Sequence, residues 1–258
     1  MYTNALEITL STIAIIQART GSTRLPGKIT KLIGSLPLYQ IVYDRVASST
    51  LVDKVVFATT TNESDDYFCN ELTMKGISFH RGSETDVLSR YKEAADIFNA
   101  TIIVRITCDD PFKDPKIIDQ CLSLMQASKA DFSSNIIKKT FPEGLDVECM
   151  SNELLNTLSL NSVEDYQREH VTPYFYENTE LYKHCSLTDN IDLSDYRLTL
   201  DDSIDYKLMT ELYNDCGFNY HVGYDVLKHK IQTEYFRRRL KGRIQPYHGL
   251  KTTIRVQK

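Results

Sequence analysis

Residues 17–28 read Q-A-R-T-G-S-T-R-L-P-G-K and bring Arg19, Arg24 and Lys28 together with Gly21 and Gly27. Glycines let backbone N–H groups close around an anion. A guanidinium grips two phosphate oxygens at once, whereas an ammonium is a movable point charge. Together they suit a polyphosphate. The spacing matches neither G-x-x-x-x-G-K-[ST] nor G-x-G-x-x-G, so neither of those fingerprints is present. Ser22 is read as a hydrogen-bond donor to phosphate and not as a nucleophile, because no base is evident beside it. Two acids complete the chemistry: Asp109 follows the apolar run 102–106, and Asp201 follows 197–200 (RLTL). If their strands are neighbours, both reach the same phosphates, and magnesium is suited by one or two carboxylates, water and phosphate oxygens. Asp110 and Asp202 are read as turn formers or helix caps.

The elements that must position these groups follow from hydrophobic rhythm. Residues 12–16 (TIAII), 54–60 (KVVFATT) and 101–107 (TIIVRIT) are β-branched runs suited to strands buried on both faces. Leu38, Ile41, Val42 and Val46 share one helical face. Helices are predicted over 65–75, 84–98 and 116–128, the last opened by Pro115, with a short strand at 77–80. Such alternation predicts an α/β fold with a mainly parallel sheet covered by helices on both faces. In the elaborated second half, strands are predicted at 131–135, 145–150 and 197–200. Helices are expected to start near Ser151 and Glu164, and another spans about 203–214, closed by Gly217. In an open parallel sheet, ligands bind beyond the carboxyl ends of the strands, where the basic loop falls.

The 258 residues are 41% hydrophobic and 25% charged, enough to build a core, which argues against disorder. No apolar run approaches the roughly 20 residues of a membrane span, so no membrane partner is expected. No signal peptide is read, and six cysteines without a C-x-x-C pair point to free thiols in a reducing cytoplasm. Six histidines show no ligand spacing, which argues against zinc. From Lys228 onward ten basic residues face one acid, Glu234, so a net charge of −5 conceals a basic tail on an acidic body. The chain is therefore read as a domain over 1–227 and a basic helix or tail over 228–258. The tail is read as a solvated helix, packed on the body's acids or on a second subunit, and not as a nucleic-acid site, since aromatics are not interleaved.

The segment I-I-Q-A-R-T-G-S-T-R-L-P-G-K resembles the signature loop of the cytidylyltransferases that make CMP-activated acidic sugars. These are the CMP-KDO synthetases, the CMP-sialic acid synthetases and, most closely, the SpsF-like spore-coat polysaccharide proteins. The likeness continues through A-T-T (58–60), R-G-S-E-T-D-V-L (81–88), V-R-I-T-C-D-D-P (104–111), G-L-D-V-E (144–148), R-E-H-V-T-P-Y (168–174) and R-L-T-L-D (197–201). It spans about residues 12–215. The resemblance implies a Rossmann-like fold of the nucleotide-diphospho-sugar transferase type and a homodimer. It implies that CMP passes from CTP to a small acidic 2-keto-3-deoxy sugar, with release of pyrophosphate, for surface polysaccharide biosynthesis. It places the nucleotide on Ala18, Arg19, Gly21, Ser22, Arg24, Lys28, Gly82, Ser83 and Asp86, with Arg24 and Lys28 on the triphosphate. Asp109 and Asp201 become the acids that hold Mg2+.

For the acceptor sugar, Asp146 and Glu148 share one face of a predicted strand, either solvent or pocket wall, and the likeness favours the pocket. Arg168 and His170 are candidates for a substrate carboxylate, and a surface Arg with a partly buried His is the plainer alternative. Arg105 and Arg197 are either ligands or internal counter-ions. Cys108 departs from the family, where glycine commonly precedes the metal aspartate, and no nucleophilic role is read for it. A glycosyltransferase consuming a nucleotide sugar is the alternative enzyme, distinguished by a diphosphate product in place of pyrophosphate. A non-catalytic protein binding nucleic acid through its tail is the alternative outside enzymes, distinguished by salt-dependent retention.

Overall fold

A computed structural model describes residues 11–242. The order is β1 (Thr12–Gln17), the hairpin β2 (Leu32–Ile33) and β3 (Leu36–Pro37), α1 (Leu38–Ala47), β4 (Lys54–Thr60), α2 (Asp66–Met74), β5 (Phe79–Gly82), α3 (Val87–Ile97), β6 (Ile102–Thr107) and α4 (Pro115–Ser128). Then come β7 (Phe132–Ser134), β8 (Glu148–Ser151), α5 (Asn152–Asn161), α6 (Asp165–His170), α7 (Pro173–Glu177), β9 (His184–Ser186), α8 (Ser203–Asp215), α9 (Tyr224–Ile231) and α10 (Glu234–Leu240).

The main sheet has the order β5-β4-β1-β6-β8-β7-β9, and β8 alone runs against its neighbours. Alternation along each strand divides the core in two. Ala14, Ile16, Phe57, Val104 and Ile106 pack under one helical layer, while Ile13, Ile15, Val56, Ala58 and Ile103 pack under the other. Full burial of the isoleucines, valines and phenylalanine among them is worth about 1.5–3 kcal/mol each, which favours strands covered on both faces. From β1 the chain first builds outward through β4 and β5, then returns to place β6 on β1's other side. The loops after β1 and β6 therefore part from each other and leave a crevice between them.

Several boundaries differ from the sequence expectation. Helix α3 starts at Val87 and not at Glu84, because Asp86 caps it, accepting from the Ser89 amide at 2.9 Å. Strand β8 starts only at Glu148: the buried Asn135 side chain binds the Leu145 carbonyl and the Val147 amide, each at 2.8 Å, and replaces a ladder there. Asp146 thus precedes the strand and does not share a strand face with Glu148. Residues 197–200 are not a strand. Their amides reach three separate segments, Arg197 to the Leu240 carbonyl, Leu198 to that of Glu143 and Leu200 to that of Asp109. Gly144 (φ +99°) permits the approach of this segment, since a Cβ there would sit 2.7 Å from the Leu198 carbonyl carbon.

The basic segment continues the fold at its start. Position 228 falls inside α9, and Ile231, Phe236 and Leu240 join the core. Lys228 pairs with Asp189 at 2.8 Å and Lys230 with Asp215 at 2.7 Å, so these cations meet acids of the body. Residues 243–258 of the tail, and residues 1–10 on which the reading of the amino terminus rested, lie outside the described residues. All six cysteines are free.

Candidate active site

The crevice beyond β1 and β6 is a cleft of about 380 Å³. One end is the basic loop. The Ala18 amide continues the sheet onto the Ala58 carbonyl (3.1 Å), and the Ser22 and Gly27 amides both return to the Thr20 carbonyl. Gly27 takes φ +65°, as the turn into Lys28 requires. Thr20 itself is anchored by Asp65, whose buried carboxylate accepts its amide at 2.7 Å and its hydroxyl at 2.6 Å. Burial pushes the Asp65 carboxyl up, but hydrogen bonds from Thr20, Thr60 and Thr59 outweigh it and leave the group below its ordinary range. Nothing in the sequence singled out Asp65; only the fold gathers its threonines. The Ser22 hydroxyl accepts the Leu25 amide at 3.3 Å, a contact within the turn.

Opposite the loop, Asp109 lies two residues beyond β6 and Asp201 directly follows segment 197–200, joined by the Leu200 amide on the Asp109 carbonyl at 2.8 Å. Their carboxylates converge. The Lys28 ammonium lies 2.8 Å from Asp109 Oδ2 and 3.0 Å from Asp201 Oδ1. Arg24 reaches the same Asp201 oxygen at 3.1 Å, while the buried Arg197 holds Oδ2 at 2.5 Å. Burial alone would raise the Asp109 carboxyl; the Lys28 charge, together with hydrogen bonds from Lys28, Thr107 and the backbone, outweighs it and lowers the group to about 2. The same pair of acids overcomes burial at Lys28 and raises its ammonium. Two carboxylates that already share one cation form an oxygen donor set suited to a hard divalent ion, so these residues fit magnesium.

Cys108, just before Asp109, is buried, and its amide donates to the Gln17 carbonyl at 3.1 Å. Burial pushes its thiol well above the ordinary value, so it sits as an inert hydrophobe.

The other end of the cleft is a set of internal ion pairs. Arg105 meets Glu148 at 2.5 Å, and Tyr176 donates to the second Glu148 oxygen at 2.8 Å. Lys113 pairs with Asp110 at 2.8 Å and also donates to the Asp146 carbonyl. Arg197 binds Glu143 as well as Asp201. Arg105 and Arg197 are thus counter-ions on the cleft wall. Asp110 is an ion-pair partner as well as part of a turn, while Asp202 caps α8 as expected. Burial raises the carboxyls of both Asp146 and Glu143, the latter to about 7.

His170 reaches the cleft through an unusual backbone. Val171 has φ +72° and ψ −54°, and the Thr172 amide donates to the His170 carbonyl at 2.9 Å. This is a three-residue γ-turn of the strained hand, centred on a β-branched residue. It ends α6 abruptly and leaves Glu169 and His170 on the cleft wall.

Of the candidate residues, Ala18, Arg19, Ser22, Arg24, Lys28, Arg105, Asp109, Asp146, Glu148, His170 and Asp201 line one cleft. Gly21, Gly82, Ser83, Asp86 and Arg168 lie outside its wall. Arg168 clamps Asp86 through Nε (2.7 Å) and Nη2 (2.6 Å), tying α6 to the cap of α3, so both are occupied in packing. The sequence reading missed Arg90, Lys113, Glu143 and Glu169, which also line the cleft. Glu143 stands directly before the G-L-D-V-E segment, the one local signal for it.

Known proteins resemble this chain over most of its length. The profile of a family described as Cytidylyltransferase matches residues 13–237. The spore coat polysaccharide biosynthesis protein SpsF of Bacillus subtilis is 33% identical over 210 residues, 79% of this chain and 86% of that protein. A 3-deoxy-manno-octulosonate cytidylyltransferase of Pelobacter propionicus is 34% identical over 111 residues, 42% of each chain. The solved structure of a cytidylyltransferase from Leptospira borgpetersenii superposes with a TM-score of 0.84 at 32% identity, covering 92% of this chain and all of that one.

Proposed function

The chain belongs to the cytidylyltransferase family, and from that premise we propose that it transfers CMP from CTP to an acidic 2-keto-3-deoxy sugar for surface polysaccharide biosynthesis. The observation that carries the reading is the convergence of Lys28, Asp109 and Asp201 on one point opposite a loop bearing Arg19 and Arg24. The acceptor preference draws support from the 3-deoxy-manno-octulosonate relative, and the pathway from the SpsF relative.

In this reading a sugar hydroxyl attacks the α-phosphorus of CTP. The bond from that phosphorus to the bridging oxygen breaks, pyrophosphate leaves with the electron pair, and the hydroxyl proton passes to water. The difficulty is charge: an anionic acceptor must approach an anionic triphosphate. Asp109 and Asp201 would hold magnesium, which when bound polarises the α-phosphate and orients the attacking oxygen. Arg19, Arg24 and Lys28 stabilise the charge that moves onto pyrophosphate. Arg197 fixes Asp201 by one oxygen, so the other stays turned to the loop. The wall carrying Asp146, Glu148 and His170 receives the sugar.

The test is pyrophosphate release from CTP and magnesium across a panel of keto-sugar acids. A CMP-sugar formed in step with pyrophosphate is expected. Release of nucleoside diphosphate from a nucleotide sugar instead, or no product with any acid or nucleotide, overturns the reading.

A further inference from the structure

We propose that Arg90 is an anion-binding residue of the cleft, taking an oxyanion of the reacting pair, either a phosphate of the nucleotide or the carboxylate of the acceptor. The inference rests on the nucleotidyl-transfer reading and adds a residue to it.

Arg90 is 2% exposed and lies on the cleft wall. Arg19, Arg24, Lys28, Arg105, Lys113 and Arg197 each pair with a carboxylate. Arg90 has no carboxylate at ion-pair distance among the described residues. Its Nη1 donates to the Ser83 carbonyl at 2.8 Å, and its Nε is buried without a hydrogen-bond partner. Burying a guanidinium is costly unless an opposite charge and a full set of acceptors compensate it. Burial indeed pulls its pKa down and the nearby Arg19 charge adds to that, while Tyr91 and the more distant acids Asp65 and Glu84 offset it only in part. Arginine nevertheless stays protonated, so a fixed positive charge with open donor capacity stands at the cleft.

The position is also built. A Cβ on Gly82 would lie 3.2 Å from Arg90 Cγ and 3.0 Å from Glu93 Oε2, so glycine there leaves room for the arginine stem. The next residue, Ser83, supplies the carbonyl that aims the guanidinium. Gly82 and Ser83 lie off the cleft wall, yet they set this side chain in place. A planar fork with unfilled donors matches an oxyanion better than it matches a neutral hydroxyl.

The experiment compares the full chain with Arg90→Gln and Arg90→Lys. It measures binding of CTP and of cytidine by calorimetry, and KM for 3-deoxy-manno-octulosonate, or the best acid of the panel, at saturating CTP. Circular dichroism and the melting temperature check folding. Arg90→Gln is expected to weaken CTP or the sugar acid by about ten- to a hundredfold, with Arg90→Lys intermediate and cytidine unaffected. A loss confined to CTP identifies phosphate as the anion, and a loss confined to KM for the acid identifies the carboxylate. If folded Arg90→Gln binds both anions as the unaltered protein does, or if cytidine binding falls equally, the role of Arg90 is overturned while nucleotidyl transfer stands. If the unaltered protein neither binds CTP nor releases pyrophosphate, the functional reading itself falls, and the proposal for Arg90 with it.

Discussion

The ammonium of Lys28 stands 2.8 Å from Asp109 Oδ2 across 81 residues of sequence. The contact joins the loop after β1 to the loop after β6 at the place where strand order reverses. Asp201, 173 residues from Lys28, meets the same nitrogen at 3.0 Å. One cation therefore gathers the two acids proposed to hold magnesium.

Asp109→Asn is expected to keep the fold and to lower turnover by about a hundredfold or more, since it removes the charge of a carboxylate proposed to hold magnesium. The loss should fall on kcat. Pyrophosphate release at saturating CTP reads it, and an unchanged rate would remove Asp109 from the reaction.

Asp65→Asn tests the anchor of the basic loop. Four donors of Thr20 and Thr60, with the Thr59 hydroxyl, lose a full carboxylate, at a cost of about 2–3 kcal/mol. Because the folded carboxyl lies below its ordinary 3.8, its stabilisation is complete above that pH and is lost as pH falls through the folded value. Urea midpoints should thus differ between wild type and variant at pH 7 and converge in strong acid. A raised KM for CTP should accompany the loss.

Glu143 should make the protein less stable as pH rises. Its carboxyl, ordinarily at 4.5, sits at about 7 because burial and Asp146 outweigh Arg197 and Lys139. The folded state therefore holds a proton that the unfolded state has released between those values, and stability declines across that window. At most about 3 kcal/mol is involved, less what partial solvent contact screens. Glu143→Gln should flatten the decline in melts taken from pH 4.5 to 8. An identical slope in the variant would assign the effect elsewhere.

Val171 offers a test of backbone strain. Val171→Ala and Val171→Gly both remove the buried side chain, but only glycine relaxes at φ +72°. The glycine variant should be the more stable of the two by about 1 kcal/mol, reversing the usual order in which glycine costs chain entropy. With the turn relaxed, His170 should be less well held, and KM for the acceptor should rise more than KM for CTP. Alanine equal to or better than glycine would show that the turn is unstrained.

How much of this was legible in advance depends on how local the signal is. The runs at 12–16, 54–60 and 101–107 became β1, β4 and β6, because β-branched side chains buried on both faces can be recognised along the chain itself. The cap at Asp202, the proline opening α4 and the glycine closing α8 are equally local. The strand expected at 197–200 failed for the opposite reason. Its hydrophobic rhythm suits a strand, but its amides are divided among Leu240, Glu143 and Asp109, none of which the segment itself reveals. Asp86 and Arg168, placed at the ligands by likeness of motif, turned out to grip each other.

The sequence alone determined the chemistry on offer: a glycine-bearing cationic loop after a buried strand, and two aspartates at segment ends, since residue type and short spacing carry charge and backbone freedom. Only the tertiary structure decided who partners whom. Charge pairing falls off over a few ångströms, and those ångströms separate residues up to 173 positions apart. That is why Lys28 could be recognised as a cation from its motif, while Arg90 could be recognised as a cation with no acid at ion-pair distance among the described residues only once the helix carrying it was folded against the cleft.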